Sequence, residues 1–468
     1  MDPNLGAWSA LPSLVIVLWT FATKRILEAL TLGTLLGLCM VSASPVAALA
    51  EYPKVLTKAM MSEDIAWLII VCGLMGGFVS LLRISGGALA FGNWVAQRAK
   101  SAKNALVWTW ILGCVVFIDD YLNSMTVGAS MARVTDRFRV PREMLAYVAD
   151  STAAPLCVII PFTTWAAFAG RVIVRSGWTE PGASEIDMFI KTIPYNLYGW
   201  IAAVIVPLVI WGFIPRLGAM KKAYQRVEAG GPLAPEGSER ISLLADDKGP
   251  KAEADEAADA RKKPRLVNFL LPVALLVATT VLFENDLAKG VLATLPLTYL
   301  LYLAQGVITA NDGWQAIVDG FRDLILPLML MVLAFVFADV NGRLGFVKWA
   351  ISAGGTFMTA ATAPALVFII LAITEFVTGT NWGMYAIALP IVIPLARSLN
   401  ADVPLMVAAC LSAGVFGSHI SFCSDATVIT SAACGCDNYR HALSQLPYGL
   451  LAAAISLVGF LILGFAMA

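Results

Sequence analysis

The run Phe117-Ile118-Asp119-Asp120-Tyr121-Leu122-Asn123-Ser124 sets two adjacent carboxylates in a stretch that is apolar from Ala105 to Val116 and weakly polar but helix-compatible to Thr135. A carboxylate at bilayer depth costs ~2.5–3.5 kcal/mol on insertion scales. Irregular backbone is tolerated at that depth only where it is buried in protein or lines a wet cavity. The run is therefore predicted to break a membrane helix and to face a site. A counterpart is expected near Asn381.

The argument requires a membrane, and composition supplies one. Of the 468 residues, 59% are hydrophobic and 14% charged, against about 25% charged in soluble proteins. A polytopic, all-α membrane protein follows, with the lipid bilayer as its solvent. The zero net charge gives no special affinity for nucleic acid. Met1 to Trp8 lacks a basic region, so no cleaved leader is expected. The eight cysteines read as small packing residues. Cys434 and Cys436 are too close in sequence for ordinary zinc ligation.

Spans of about 20 apolar residues are predicted at Trp8–Phe21, Ile26–Leu49, Ile65–Trp94, Asn104–Thr135, Met144–Ile173 and Leu197–Ile214. A second set covers Val267–Phe283, Leu287–Gln305, Leu324–Trp349, Ala363–Ala396, Leu405–Ala433 and Pro447–Phe465. Residues 215–265, rich in charge, Ala and Gly, read as a flexible cytoplasmic linker.

The two sets repeat. Gly87, Leu89, Phe91 and Trp94 have the spacing of Gly342, Leu344, Phe346 and Trp349. Residues 1–214 are one repeat, with a hairpin tip at 119–124 and a helix break at 150–155. Residues 266–468 are the other, with a tip at 378–383 and a break at 417–421. Arg98, Lys100 and Lys103 follow the first Trp, while 350–361 carries no charge; Arg133, Arg137, Arg139 and Arg142 answer to Arg397 alone. Basic connectors stay cytoplasmic, so the halves are expected to be inverted, the architecture of secondary transporters with a midplane site. Each half then has five spans, a re-entrant hairpin and a broken helix, with both termini outside and the linker inside. Gly306–Gly320 fits poorly: it should be cytoplasmic yet carries Asp312 and Asp319 and no basic residue.

The breaks offer oxygen ligands for a hard cation such as Na+: Asp119, Asp120, Asn123 and Ser124; Asp150, Ser151 and Thr152; Thr378, Thr380 and Asn381; Ser418, Ser421 and Ser424. Na+ is placed at Asp120, Asn123, Asp150 and Asn381. Asp425 reads as a site residue or as the cap of the helix that follows. Proton-coupling candidates are Asp120, Asp150, Glu375 and His419. Trp165 and Trp382, close to the breaks, are candidate contacts for an organic solute. No catalytic residue and no cofactor beyond the coupling ion are expected. An intramembrane hydrolase would pair His419 with Ser418 or Ser421, without a recognisable motif.

Phe117–Asn123, Val140–Tyr147 and Asp150-Ser151-Thr152-Ala153-Ala154-Pro155 resemble the signature of the NhaC-type Na+/H+ antiporter family. Gly417–Thr427 resembles that family's Gly-Asp-His-x-Ser-x-x-Ser-Asp-x-Thr, and Cys434–Asp437 and Gln445–Tyr448 also fit. The resemblance implies a cation-coupled secondary transporter with an elevator-like fold. Its cargo would be Na+ and H+, or a small carboxylate or amino acid carried with Na+ or H+. Ser418 stands where the family has Asp, removing one carboxylate. A homodimer in the bacterial inner membrane is the expected setting.

Overall fold

A computed structural model describes residues 5–468 except 24, 43, 118–119, 162, 241–264, 284–285, 324, 347–348, 350–351, 353–357 and 380. Among the described residues there is no strand. The first half runs α1 (Leu11–Thr23), α2 (Ile26–Val41), α3 (Pro45–Met60), α4 (Glu63–Ile84), α5 (Gly87–Arg98), α6 (Ala102–Val115), α7 (Asp120–Arg137), α8 (Arg142–Ser151), α9 (Ala154–Cys157), α10 (Thr164–Arg175), α11 (Glu185–Ile190) and α12 (Leu197–Trp211). Then follow α13 (Gly218–Glu228) and the second half: α14 (Val267–Leu282), α15 (Leu287–Ala304), α16 (Ala310–Asp323), α17 (Ile325–Leu344), α18 (Ala363–Thr378), α19 (Asn381–Ser398), α20 (Val403–Ile420), α21 (Asp425–Cys434) and α22 (Asn438–Met467).

Among the described residues three segments are long and apolar enough to cross a membrane: Ile65–Ile84, the broken Val403–Cys434 and Asn438–Met467. A bent pair, Glu185–Tyr195 with Leu197–Trp211, turns by 56° and makes a fourth.

Local chemistry explains where the predicted spans divide. Ile26–Leu49 is two helices because Ser44 caps α3, accepting from the Ala47 amide, and Pro45 fits a first helical turn. The poorly fitting connector Gly306–Gly320 is mostly helix: α16 packs along α4. It occupies the place before α17 that α3 occupies before α4. Reading it as a loop failed because its apolar residues line one face only.

Among the described residues two large apolar cores and a smaller one around Leu38, Val55 and Val340 organise the packing. The first gathers α8, α10, α12, α18, α19, α20 and α22. The second gathers α4, α5, α7, α14, α15, α17 and α21. Helices α7 and α21 pack on each other; α7 also meets α4 and α5, and α21 meets α17. In each half the first part of the broken helix lies against both arms of the preceding pair: α8 against α6 and α7, α20 against α18 and α19.

The expectation of a flexible linker from residue 215 does not hold for 215–240. Helix α13 docks on α8 and α22. Arg226 grips Glu143 through two bonds of 2.7 and 2.8 Å. Its guanidinium also donates to the Pro232 and Leu233 carbonyls. The Arg142 amide donates to the Leu233 carbonyl, the Asp437 amide to Ser238 Oγ, and the Leu217 amide to Tyr448 Oη. Charge content suggested solvation, but here the charges find fixed partners. The remainder, 241–264, lies outside the described residues.

Candidate functional site

Each break arises where a helix cannot continue. Helix α8 ends at Ser151 because Pro155 has no amide to give and would crowd the turn before it. Helix α18 ends on Gly379, whose φ of +69° is left-handed. The first hairpin break precedes Asp120, so Asn123 and Ser124 lie in the opening turns of α7 rather than in the break. In the second half α20 continues through Ser418 and His419 to Ile420, and the interruption falls at 421–424. Gly417 is therefore not a breaker. A Cβ there would sit 2.2 Å from Glu375 Cγ, so glycine serves close approach. Gly113 does the same in the first half, where a Cβ would meet Thr152 Oγ1 at 2.0 Å.

These approaches bring the candidates together. Asn123 donates its amide protons to the Gly113 and Thr152 carbonyls, each at 2.7 Å, fastening α6 to the break after α8. Ser124 Oγ accepts from Thr430 Oγ1 at 2.7 Å. Asp120 Oδ1 accepts from the Trp165 indole at 3.1 Å, and Trp165 packs edge-on against Tyr385. Asp150 Oδ2 accepts from Gln445 Nε2 at 2.8 Å, and the side chains of Thr427 and Thr430 face this carboxylate. Asp425 accepts from Tyr121 Oη at 2.6 Å and from the Ala426 amide at 2.8 Å. Glu375 accepts from Thr378 Oγ1 at 3.2 Å. Asp425 is near enough to both Asp150 and Glu375 for their charges to interact.

Other candidates hold hydrogen bonds within the framework. Ser424, not Asp425, caps α21 through its bond from the Thr427 amide. Ser424 and Thr427 also donate to the Ser418 carbonyl, and Ser421 to the Phe376 carbonyl. Thr152 Oγ1 returns its proton to α8 carbonyls. His419 bridges Ser151 Oγ at 2.9 Å and Tyr198 Oη at 2.8 Å. Asp119, Thr380 and the side chains of Asn381 and Trp382 lie outside the described residues.

Sequence reasoning missed Gln445, His441, Tyr198, Tyr121 and Thr430. For two of them a signal existed. Asn438, His441 and Gln445 recur at helical spacing on one face of the 30-residue α22, a polar stripe in an otherwise apolar span.

The site is rich in oxygen and poor in positive charge. Asn123 Oδ1, Asp150 Oδ1, Glu375 Oε1 and Ser418 Oγ are buried, with no hydrogen-bond partner among the described residues. No lysine or arginine among them pairs with Asp150, Glu375 or Asp425. Nor, among them, does any group of three His, Cys, Asp or Glu side chains stand ready to chelate a metal. A carboxylate so placed must bind a proton or a cation. Breaks, buried acceptors and repeated helix order define a cation-coupled membrane transporter.

The chain belongs to the Na+/H+ antiporter family, whose profile matches residues 156–465. It is 26% identical to an uncharacterized protein of Haemophilus influenzae over 99% of this chain and 92% of that one. It is also 26% identical to the malate-2H(+)/Na(+)-lactate antiporter of Bacillus subtilis, over 41% of each chain. Among solved structures it matches Neisseria gonorrhoeae MtrF, described as an antimetabolite efflux pump. That match has 12% identity and a TM-score of 0.42 over 100% of this chain and 97% of that chain.

Proposed function

We propose that this protein exchanges Na+ for H+ by alternating access, with Asp150 holding the two in turn. The observation that carries the reading is the Asp150 carboxylate, fully buried at a helix break and faced, among the described residues, by an amide, hydroxyls and an imidazole. Removing a carboxylate from water without a counter-charge costs several kcal/mol. Protonation or a bound cation relieves that cost, and the two exclude each other. Asn123 Oδ1, next to Thr152 through its own amide, supplies a neutral oxygen of the kind Na+ accepts. Ser124, bonded to the Thr430 hydroxyl that faces Asp150, adds a further oxygen on the same side. Purified protein in liposomes carrying a pH-sensitive dye should alkalinise or acidify its lumen when a Na+ gradient is imposed. Asp150→Asn should abolish that response while leaving the protein folded. A Na+-driven response of wild-type size in Asp150→Asn would refute the assignment.

A second reading is exchange of a small organic carboxylate coupled to Na+ or H+. It is favoured by the likeness to the Bacillus subtilis malate-2H(+)/Na(+)-lactate antiporter and by the buried aromatic pair Trp165 and Tyr385 beside Asp120. Warming the protein with a panel of carboxylates and amino acids separates the two. A solute that stabilises it only with Na+ present favours the second.

A further inference from the structure

The amide of Gln445 is completely committed, and its direction is fixed by its neighbours. Gln445 Nε2 has two protons. One goes to Asp150 Oδ2 at 2.8 Å and the other to the His419 carbonyl. Turning the amide over would set its oxygen against two acceptors, so the nitrogen must face them. Gln445 Oε1 then lies 2.8 Å from His441 Nε2, which must carry a proton to donate. The other ring nitrogen, Nδ1, is 2.9 Å from Ser431 Oγ. Ser431 has a single proton and also faces the Thr427 carbonyl and Asn438 Oδ1. Gln445, His441, Asp150 and Ser431 are all fully buried.

One side chain thereby joins three elements. It holds the first half's α8 carboxylate, the last turn of α20 before the second break, and its own helix α22 through His441. With Oδ2 held, the carboxylate of Asp150 cannot rotate freely. Its remaining oxygen, Oδ1, has no hydrogen-bond partner among the described residues, though Thr427 and Thr430 face the carboxylate. A donor that pins one oxygen and presents the other is what metal sites achieve with the groups around their ligands, where losing such a partner typically costs about 10–100-fold in affinity or activity.

We propose that Gln445 is a positioning residue for cation recognition, with His441 fixing its amide, so that Asp150 meets its cargo through Oδ1. The inference rests on the assignment of Asp150 as the exchanging carboxylate. The test compares Gln445→Met, which keeps the volume but loses the amide, with Gln445→Ala, which loses both. Na+-driven dye response is measured at one fixed pH against Na+ concentration. Both variants should raise the half-saturating Na+ concentration about tenfold or more, with the maximal response within about threefold of wild type. A packing role would leave Met like wild type and damage only Ala, and that result overturns the proposal. Gln445→Asn, whose amide is one methylene too short, guards against a Met variant that fails to fold. It should show the same loss of Na+ affinity, and a wild-type value overturns the proposal. Absence of any Na+ response in the wild-type protein would sink the exchange reading instead, so the two failures are distinguishable.

Discussion

At the scale of single residues, Asn123 is where structure and site meet. Its two amide protons satisfy the carbonyls of Gly113 and Thr152, both of which a break would otherwise leave open. Asn123→Ala removes both donors from a buried position. At about 1–2 kcal/mol for each abandoned acceptor, it should lower stability by roughly 2–4 kcal/mol. Thermal unfolding in detergent reads this directly, and an unchanged midpoint would remove Asn123 from the framework. Trp165→Phe is a narrower change. It keeps the ring against Tyr385 but deletes the donor to Asp120, so it should weaken Na+ affinity several-fold with little effect on melting. The carboxylates Asp120 and Asp150 were legible in the sequence because charge within an apolar run has few innocent explanations. Tyr121 and Thr430 were not, because a neutral polar residue in a span becomes informative only when its partner is known, and these partners lie 304 and 306 residues away.

At the scale of elements, α8 ends within the expected first break, while the second interruption falls later than the sequence suggests. Gly417-Ser418 looks like an interruption, yet Gly417 sits within α20 to admit Glu375, and the break follows at Ser421. Periodicity cannot tell a glycine that ends a helix from one that lets a neighbour approach. The docked segment before residue 241 was hidden for a related reason: its bidentate bond to Glu143 is made with another helix. Glu143 is only 4% exposed while Arg226 is 27% exposed. A fully buried pair broken on one side costs about 3–5 kcal/mol. Partial solvation of the arginine reduces that, so Arg226→Ala should cost about 1–3 kcal/mol in thermal unfolding. The hydrogen-bonded Glu143 carboxylate holds the Arg226 pKa above the ordinary guanidinium value, so raising pH should not release the strap. Shortening the chain within 241–264 should leave transport intact, since a connector only has to reach. Deleting 218–239 should impair it by exposing Glu143 and the Arg142 amide. Equal activity in both deletions would show that docking is idle.

At the scale of the whole molecule, the proposed repeat would pair α3 and α4 with α16 and α17, α6 and α7 with α18 and α19, and α8 with α20. Helix order alone does not give orientation. The proposed inversion rests on charge, with Arg133, Arg137, Arg139 and Arg142 gathered after the first pair and Arg397 alone after the second. Basic segments are retained in the cytoplasm, and the strap packed against Arg139, Arg142 and Glu143 supplies further basic groups on the same face. Two copies of one motif facing opposite ways would place one broken helix toward each side of the bilayer, which is what alternating access requires of a midplane site. In a variant lacking its native cysteines, Arg137→Cys and Leu399→Cys would be probed with a membrane-impermeant thiol reagent in sealed vesicles of known orientation. Position 137 should react only from the cytoplasmic side and position 399 only from the opposite side. Labelling of both from one side would mean that the halves are parallel copies. The charge difference between their connectors would then need another cause, and the site would have to open by a different motion.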